Sequence, residues 1–169
     1  MDLILTGQAV RLRPVTADDV SRLQAILSEP SVARWWTPPS SDGAAADWLE
    51  PFGQVTFAIE HVGQVVGNIQ FLEEGDEDYR SAGIDLFLST DAQGNGLGPD
   101  AIRTVARYLI EERGHHRLTI DPAAANERAI RAYTRVGFKR VGVMRQYERG
   151  QDGTRHDRLL MDLLAGELT

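Results

Sequence analysis

Gly94, Gly96 and Gly98 fall at alternating positions in the stretch "DLFLSTDAQGNGLGPDAIRTVARYLI", residues 85–110, between an apolar run and an amphipathic helical pattern. Small residues let a backbone approach a ligand closely, and successive free N–H groups make an anion-binding concavity. The N-terminus of the following helix adds about half a positive charge. Three phosphate-loop patterns compete here. The dinucleotide pattern G-x-G-x-x-G fails from Gly94, because position 99 is Pro99. From Gly96 it ends on Ala101, a tolerated substitute, but no clear βαβ unit with a ribose-binding acid follows. A Walker A loop is excluded, since no Gly-Lys-Ser/Thr follows. What remains is Q-x-x-G-x-G, carried by Gln93, Gly96 and Gly98. Pro99 suits a first helical turn, where its missing N–H costs nothing. On the loop alone, an anion cradle and a plain turn both stand.

Other candidates lie on either side. Asp85 is the only charge in "GIDLFL", and an unpaired carboxylate among apolar neighbours is costly unless it has a task; the alternative is a solvent-facing position on an alternating strand. Asp121 either contributes to a site or caps a turn before Pro122. Tyr133 either packs with Ile130 and Ala129 on a helix face or presents its hydroxyl. Trp35 and Trp36 either stack on a ligand or serve the core. The run "EEGDED", with five acids in six residues, is either an electrostatic lip for a polycation or a solvated loop. No histidine shows metal-ligand spacing, and there is no cysteine, so disulfides, cysteine-ligated zinc and a thiol nucleophile are excluded.

These residues need elements to hold them. Residues 8–13 alternate and read as a strand. Thr16 with Asp19 forms the aspartate variant of a capping box, opening a helix through about Leu27. Prolines 30, 38 and 39 interrupt the chain around "RWW", and a short helix is expected over 43–50. Two strands follow in "QVTFAIEHVGQVVGNIQFL", joined by a tight turn at Val62-Gly63. "AGIDLFLS" is the fourth strand. The next helix places Ile102, Val105, Ala106, Leu109 and Ile110 on one face and ends at Gly114. "RLTID" is the fifth strand, "NERAIRAYTRVG" a helix capped by Asn126 and closed by Gly137, and the tail two strands joined around Asp152-Gly153. Strands and helices mix without strict alternation, which predicts an α/β fold: a single, mostly antiparallel sheet flanked by helices.

Length and composition bound the function. The 169 residues suit one domain, 1–169. Hydrophobic content of 42% with 25% charged residues fits a soluble globular chain. There is no apolar run of the ~18 residues a membrane span needs. The start lacks a signal peptide's basic leader and apolar core. A cytoplasmic, membrane-free protein is expected. The net charge of −7, from 25 acidic against 18 basic residues, repels nucleic-acid backbones and attracts a cationic substrate.

Two motifs together carry a resemblance. "QGNGLG" matches Q/R-x-x-G-x-G/A, and "NERAIRAYTRVGF", residues 126–138, matches N-x-x-A-x-x-x-Y-x-x-x-G-F, in the right order and separated by a helix and a strand. The sequence resembles the GNAT superfamily of acyl-CoA-dependent N-acyltransferases from about residue 8 to 164. "GID", "TIDP" at 119–122, "RWW" and "GNIQF" further resemble its aminoglycoside 6′-N-acetyltransferases. The opening and terminal segments resemble the ribosomal-protein acetyltransferases nearly as well. The resemblance implies acetyl-CoA as cosubstrate, no metal, a cationic amine as acceptor, and a monomer or homodimer. It implies that Gln93, Gly94, Asn95, Gly96, Leu97 and Gly98 hold the coenzyme A pyrophosphate and that Asn126 borders the pantetheine. The fourth and fifth strands would splay, freeing the backbone of Leu86, Phe87 and Leu88 for the pantetheine amides. Tyr133 would be the general acid for the departing thiolate. Asp85 would be the base and amine anchor, Asp121 a second contact to substrate ammonium groups, and Trp35 and Trp36 the border of the acceptor cleft. A non-catalytic acyl-CoA-binding module is the remaining alternative.

Overall fold

The structure is a computed structural model that describes residues 3–37, 48–49 and 51–169. Its elements run β1 (Leu5–Thr6), β2 (Arg11–Pro14), α1 (Val20–Leu27), α2 (Pro30–Ala33), β3 (Gln54–His61), β4 (Gln64–Glu74), β5 (Ser81–Leu88), α3 (Leu97–Glu111), β6 (Arg117–Ile120), α4 (Glu127–Val136), β7 (Lys139–Arg149) and β8 (Arg155–Leu164). Among the described residues the strands form one sheet in the order β1-β2-β3-β4-β5-β6-β8-β7. Among the described strands only β5 and β6 run parallel. The mixed, mostly antiparallel sheet is the one expected. Of the helix expected over 43–50, Trp48 and Leu49 are helical, and the remainder lies outside the described residues.

The first strand differs from its expectation. Residues 8–13 alternate, yet the strand is Arg11–Pro14 and a short β1 precedes it. The N–H groups of Gln8, Ala9 and Val10 do not enter a ladder. They donate to the Asp100 carboxylate at 3.0, 2.8 and 3.0 Å. A buried carboxylate on α3, 92 residues away, thus claims the donors that the pattern assigned to a strand.

Each face of the sheet buries its own core. Leu12, Ile59, Ile69, Ile84 and Leu86 pack against Ile102, Val105 and Leu109 of α3 and Ile130 and Val136 of α4. On the other face, Phe87 packs with Leu23, Ile26 and Leu27 of α1, Val32 of α2, and Trp48. Alternation along β5 therefore points Leu86 to one core and Phe87, with its neighbour Asp85, to the opposite face. The capping expectation holds: Thr16 donates through its backbone N–H and its hydroxyl to Asp19 at 2.8 and 2.9 Å, and Arg13 grips the same carboxylate through two N–H groups at 2.7 and 2.8 Å. The turn at Val62-Gly63 has positive φ at both residues, 49° and 72°, the geometry of a two-residue hairpin.

The feature that shapes the site is a parting of strands. β5 and β6 pair only at Ala82↔Leu118 and Gly83↔Thr119. From Ile84 onward β5 keeps its partners on β4, down to Gly67↔Leu88, while its other edge is unpaired. This is the splay expected between the family's fourth and fifth strands, which are β5 and β6 here.

Candidate active site

A cleft of about 700 Å³ opens where β5 and β6 part. Asp85, Leu86, Phe87 and Leu88 form one wall, Gly94, Gly96, Gly98 and the start of α3 a second, and the first turns of α4 a third. On the opposite side of the sheet the cleft reaches Trp35 and Trp36. It thus runs from the α3/α4 face of the sheet to the α1/α2 face through the gap.

The glycine loop has the geometry of an anion cradle. Gly94 and Gly96 both adopt φ 80°, a left-handed conformation costly for other residues, and Gly96 caps α3. A Cβ on Gly94 would stand 2.9 Å from the Arg128 guanidinium. The first helical hydrogen bond runs from the Asp100 N–H to the Gly96 carbonyl at 3.1 Å, so the N–H groups of Leu97 and Gly98 remain free at the helix end. Pro99 sits inside this first turn. The Leu97 side chain is buried in the core, the Asn95 amide donates to the Asp91 carbonyl at 3.1 Å, and neither residue lines the cleft. Gln93 braces the loop: its amide donates to the Leu88 carbonyl at 2.9 Å and accepts from Arg128 at 3.1 Å. Asn126 caps α4 by accepting from the Ala129 N–H at 3.2 Å and lines the cleft beside it.

Asp85 stands at the parting, half-buried, with its carboxylate accepting from the Leu86 N–H at 3.1 Å. Desolvation pushes its carboxyl up to about 7, against the pull of Arg158 and with the repulsion of Asp121 and Glu148. Desolvation also raises the Tyr133 phenol well above its ordinary value, and the Asp85 charge adds to it. Tyr133 belongs to the core of the α3/α4 face, its ring 6.5 Å from Phe138, and it borders the same cleft. The packing and the hydroxyl readings of Tyr133 are therefore compatible.

Asp121 is not a free carboxylate. Arg158 of β8 lies 3.3 Å from its Oδ2, donates to its backbone carbonyl, and donates to Glu148 at 2.7 Å. Burial raises the Asp121 carboxyl above its ordinary value, with Arg158 opposing the shift. The tryptophans divide their roles. Trp36 meets Phe87 edge-on at 5.1 Å, and Trp35 carries the Arg34 guanidinium 4.6 Å above its ring. The acidic run takes the solvated reading: it turns the corner at Glu74↔Ser81, four residues before Asp85, or about 13 Å along the strand. There Glu73 pairs with Arg113 at 3.1 Å and with His115 at 2.7 Å.

Sequence reasoning missed Ser31, Arg34, Arg128, Arg131 and Arg158, all of which line the cleft. Arg128, Arg131 and Arg135 stand at i, i+3 and i+7, which places them on one helix face, and that spacing was visible beforehand. Arg158 gave no signal, because its position depends on β8 lying beside β6.

A parallel strand pair that parts over a glycine-capped helix N-terminus leaves an open strand edge and free N–H groups that can hold an extended, phosphate-bearing ligand. The chain belongs to the GNAT acetyltransferases: the family described as Acetyltransferase (GNAT) domain matches residues 9–139. Among relatives, it is 28% identical over 159 residues to an aminoglycoside N(6′)-acetyltransferase type 1 of Klebsiella pneumoniae, covering 82% of this chain and 78% of that protein. It is 24% identical over 143 residues to spermidine N(1)-acetyltransferase of Escherichia coli, covering 81% and 76%. A structure of AAC(6′)-Ib in complex with paromomycin and acetyl-CoA superposes with a TM-score of 0.77 at 25% identity, covering 95% of this chain and 97% of that one. As a member of this family the chain is an acetyl-CoA-dependent acetyltransferase, and the loop and the splay described above fit that cosubstrate. Among the described residues there is no group that would hold a metal ion, and no helix is long and apolar enough to cross a membrane.

Proposed function

We propose that the protein acetylates a primary amine of a cationic small molecule, with the 6′-amino group of an aminoglycoside as the acceptor. The observation that carries this reading is Asp85, a carboxyl pushed up to about 7 at the point where the strands part. A general base works best with its proton affinity near the working pH. An alkyl ammonium has a pKa of about 10, so the acceptor arrives charged, is attracted by the carboxylate, and must lose a proton before it attacks. Asp85 anchors that ammonium and takes the proton, directly or through water.

Acetyl-CoA supplies an activated carbonyl and a thiolate leaving group. The unpaired edge of β5 along Leu86 to Leu88 offers hydrogen bonds to the pantetheine once the Leu86 N–H and the Leu88 carbonyl exchange their present partners Asp85 and Gln93, and the N–H groups at the start of α3 offer them to the pyrophosphate. Arg128 and Arg131, on the face of α4 that borders the cleft, add positive charge beside the same loop. Tyr133 keeps its proton across the physiological range and gives it to the departing sulfur. The net charge of −7, the Trp35 ring and the similarity to an aminoglycoside acetyltransferase support a cationic acceptor carrying sugar rings. A cysteine-free chain of this charge suits the cytoplasm. The similarity to spermidine N(1)-acetyltransferase favours a polyamine as the second reading.

A thiol-release assay with acetyl-CoA tests these readings. It compares aminoglycosides carrying a 6′-amino group, analogues with a 6′-hydroxyl, spermidine, and peptides with an N-terminal alanine. Turnover on the amino but not the hydroxyl compounds is expected. Turnover on spermidine alone selects the polyamine reading. Turnover confined to peptides overturns both and selects a ribosomal-protein type of activity, and binding of acetyl-CoA without turnover on any amine selects a non-catalytic module.

A further inference from the structure

Arg158 lies outside both sequence motifs, yet its guanidinium stands among the acidic groups at the acceptor end of the cleft. β8 turns Leu159, Met161 and Leu163 into the α3/α4 core, so Arg158 projects to the opposite face, the face of Asp85. The strand is held there by the Leu159 N–H, which donates to the Pro122 carbonyl at 2.9 Å. The side chain is 13% exposed and is pinned from two sides, by Asp121 at 3.3 Å and by Glu148 of β7 at 2.7 Å. The Glu148 contact is a hydrogen bond to a charged group in a partly buried setting, strong enough to fix the rotamer.

Among the described residues, the charged and titratable groups that bear on Asp85 are Arg158 from β8, Asp121 from the loop after β6, Glu148 from β7, and the Tyr133 phenol from α4. Its cross-strand partner on β4 is the neutral Gln70. Arg158 is the one cation in that set. Without it, three carboxyl groups would share a poorly solvated cleft, and like charges so placed do not all ionise.

We propose that Arg158 is a positioning residue for Asp85: clamped between Asp121 and Glu148, it supplies the fixed counter-charge that lets the Asp85 carboxylate ionise at the acceptor end of the cleft. The proposal rests on the acyl-transfer reading for its functional meaning, but its electrostatic content concerns the free protein. The three groups form a relay. Asp121 and Glu148 spend their charge on holding the guanidinium, and the guanidinium acts on Asp85. An acceptor ammonium then meets a carboxylate whose surroundings are already ordered.

The test is a titration of the full-length protein labelled with carboxyl-13C aspartate, the Asp85 signal being identified by its loss in Asp85→Asn. Arg158→Met removes the cation with little change in volume and is expected to move the Asp85 midpoint up by about one pH unit or more. Glu148→Gln removes a repelling charge while keeping an acceptor for Arg158, and is expected to move the midpoint down. Arg158→Lys keeps the charge and is expected to leave the midpoint closer to the wild-type value than Arg158→Met does. Should Arg158→Met fail to fold, Arg158→Gln, which keeps an N–H donor for Asp121 and Glu148 but no charge, takes its place with the same upward shift expected. An Asp85 midpoint unmoved in the folded variants overturns the proposal. The pH dependence of kcat/KM is read on the same proteins: a kinetic limb that fails to follow a shifted Asp85 midpoint leaves the positioning role standing and removes Asp85 as the base.

Discussion

Gln151, at the tip of the β7–β8 hairpin, donates to the Trp36 carbonyl at 2.7 Å, across 115 residues of sequence. The same amide nitrogen reaches the Ala33 carbonyl at 3.0 Å. The hairpin tip is thereby tied to the segment that carries Trp35 and Trp36, both of which line the cleft. Gln151→Ala is expected to raise KM for the acceptor about fivefold, the value of one ordinary hydrogen bond, while KM for acetyl-CoA stays unchanged. Steady-state kinetics with each substrate varied in turn reads this directly, and an unchanged acceptor KM would dissociate the tie from substrate binding.

Asp85 predicts both a rate profile and a stability profile. The base must be ionised, so kcat/KM is expected to fall about tenfold per pH unit below about 7. In the folded protein the carboxyl holds its proton to higher pH than its ordinary value of 3.8. Its stabilising contribution is thus present below that value and is lost as pH rises toward 7. Asp85→Asn cannot ionise. It is expected to lose about a hundredfold in turnover, to melt at a higher temperature than the wild type at pH 8, and to lose that advantage near pH 3. Calorimetry at the two pH values checks the second half independently of any substrate.

Tyr133→Phe keeps the ring that packs near Phe138 and removes the proton donor. Turnover is expected to drop about a hundredfold, with acetyl-CoA affinity nearly intact and the melting temperature little changed. Stopped-flow measurement of thiol release with saturating acetyl-CoA isolates the step; unaltered turnover would remove Tyr133 from the chemistry.

The two left-handed glycines separate backbone strain from crowding. A Cβ on Gly96 meets nothing within 4 Å, whereas one on Gly94 meets Arg128 at 2.9 Å. Gly96→Ala is expected to cost about 1–2 kcal/mol of stability through its φ alone. Gly94→Ala is expected to cost at least as much and also to displace Arg128 from the loop, so its acetyl-CoA affinity should fall further than that of Gly96→Ala. Isothermal titration with coenzyme A on both variants makes the comparison.

Asp19 anchors the entry to α1. Its carboxyl is held down to about 2, first by Arg13 and then by Thr16. A depressed carboxyl stabilises the fold above its ordinary range, and that contribution is lost as pH falls toward 2. Asp19→Asn leaves Arg13 short of one of its two carboxylate partners, Glu60 remaining at 2.7 Å, and is expected to cost about 3 kcal/mol at pH 7. Denaturant melts at pH 7 and pH 2.5 should show the cost shrinking with acid.

Much of the machinery was legible in the chain because it is local. The glycine loop, the face of α3, the Asn126 cap and Gly137 closure of α4, and the turns at Val62-Gly63 and Asp152-Gly153 each depend on residues within a few positions of one another. Helix periodicity and left-handed turn positions leave their mark at that range. Gly137 shows how strict the mark is: its φ is 116°, and a Cβ there would stand 2.1 Å from the Glu167 carbonyl. The alternation of residues 8–13 misled because the donors of residues 8–10 have a remote acceptor in Asp100, and periodicity carries no information about such a partner.

What the sequence by itself determined, then, is the glycine loop and the choice of two candidate side chains, Asp85 and Tyr133. Each was singled out by residue type and by its immediate neighbours. Only the tertiary structure decided that these two share a cleft, because that depends on β5 and β6 parting after Gly83, a property of two strands brought together across α3. The same holds for Arg158 beside Asp121 and Glu148, and for the acidic run turning away from the cleft. Coulomb interactions act through space, and the distances between charges are set by strand order, which no short stretch of this chain spells out.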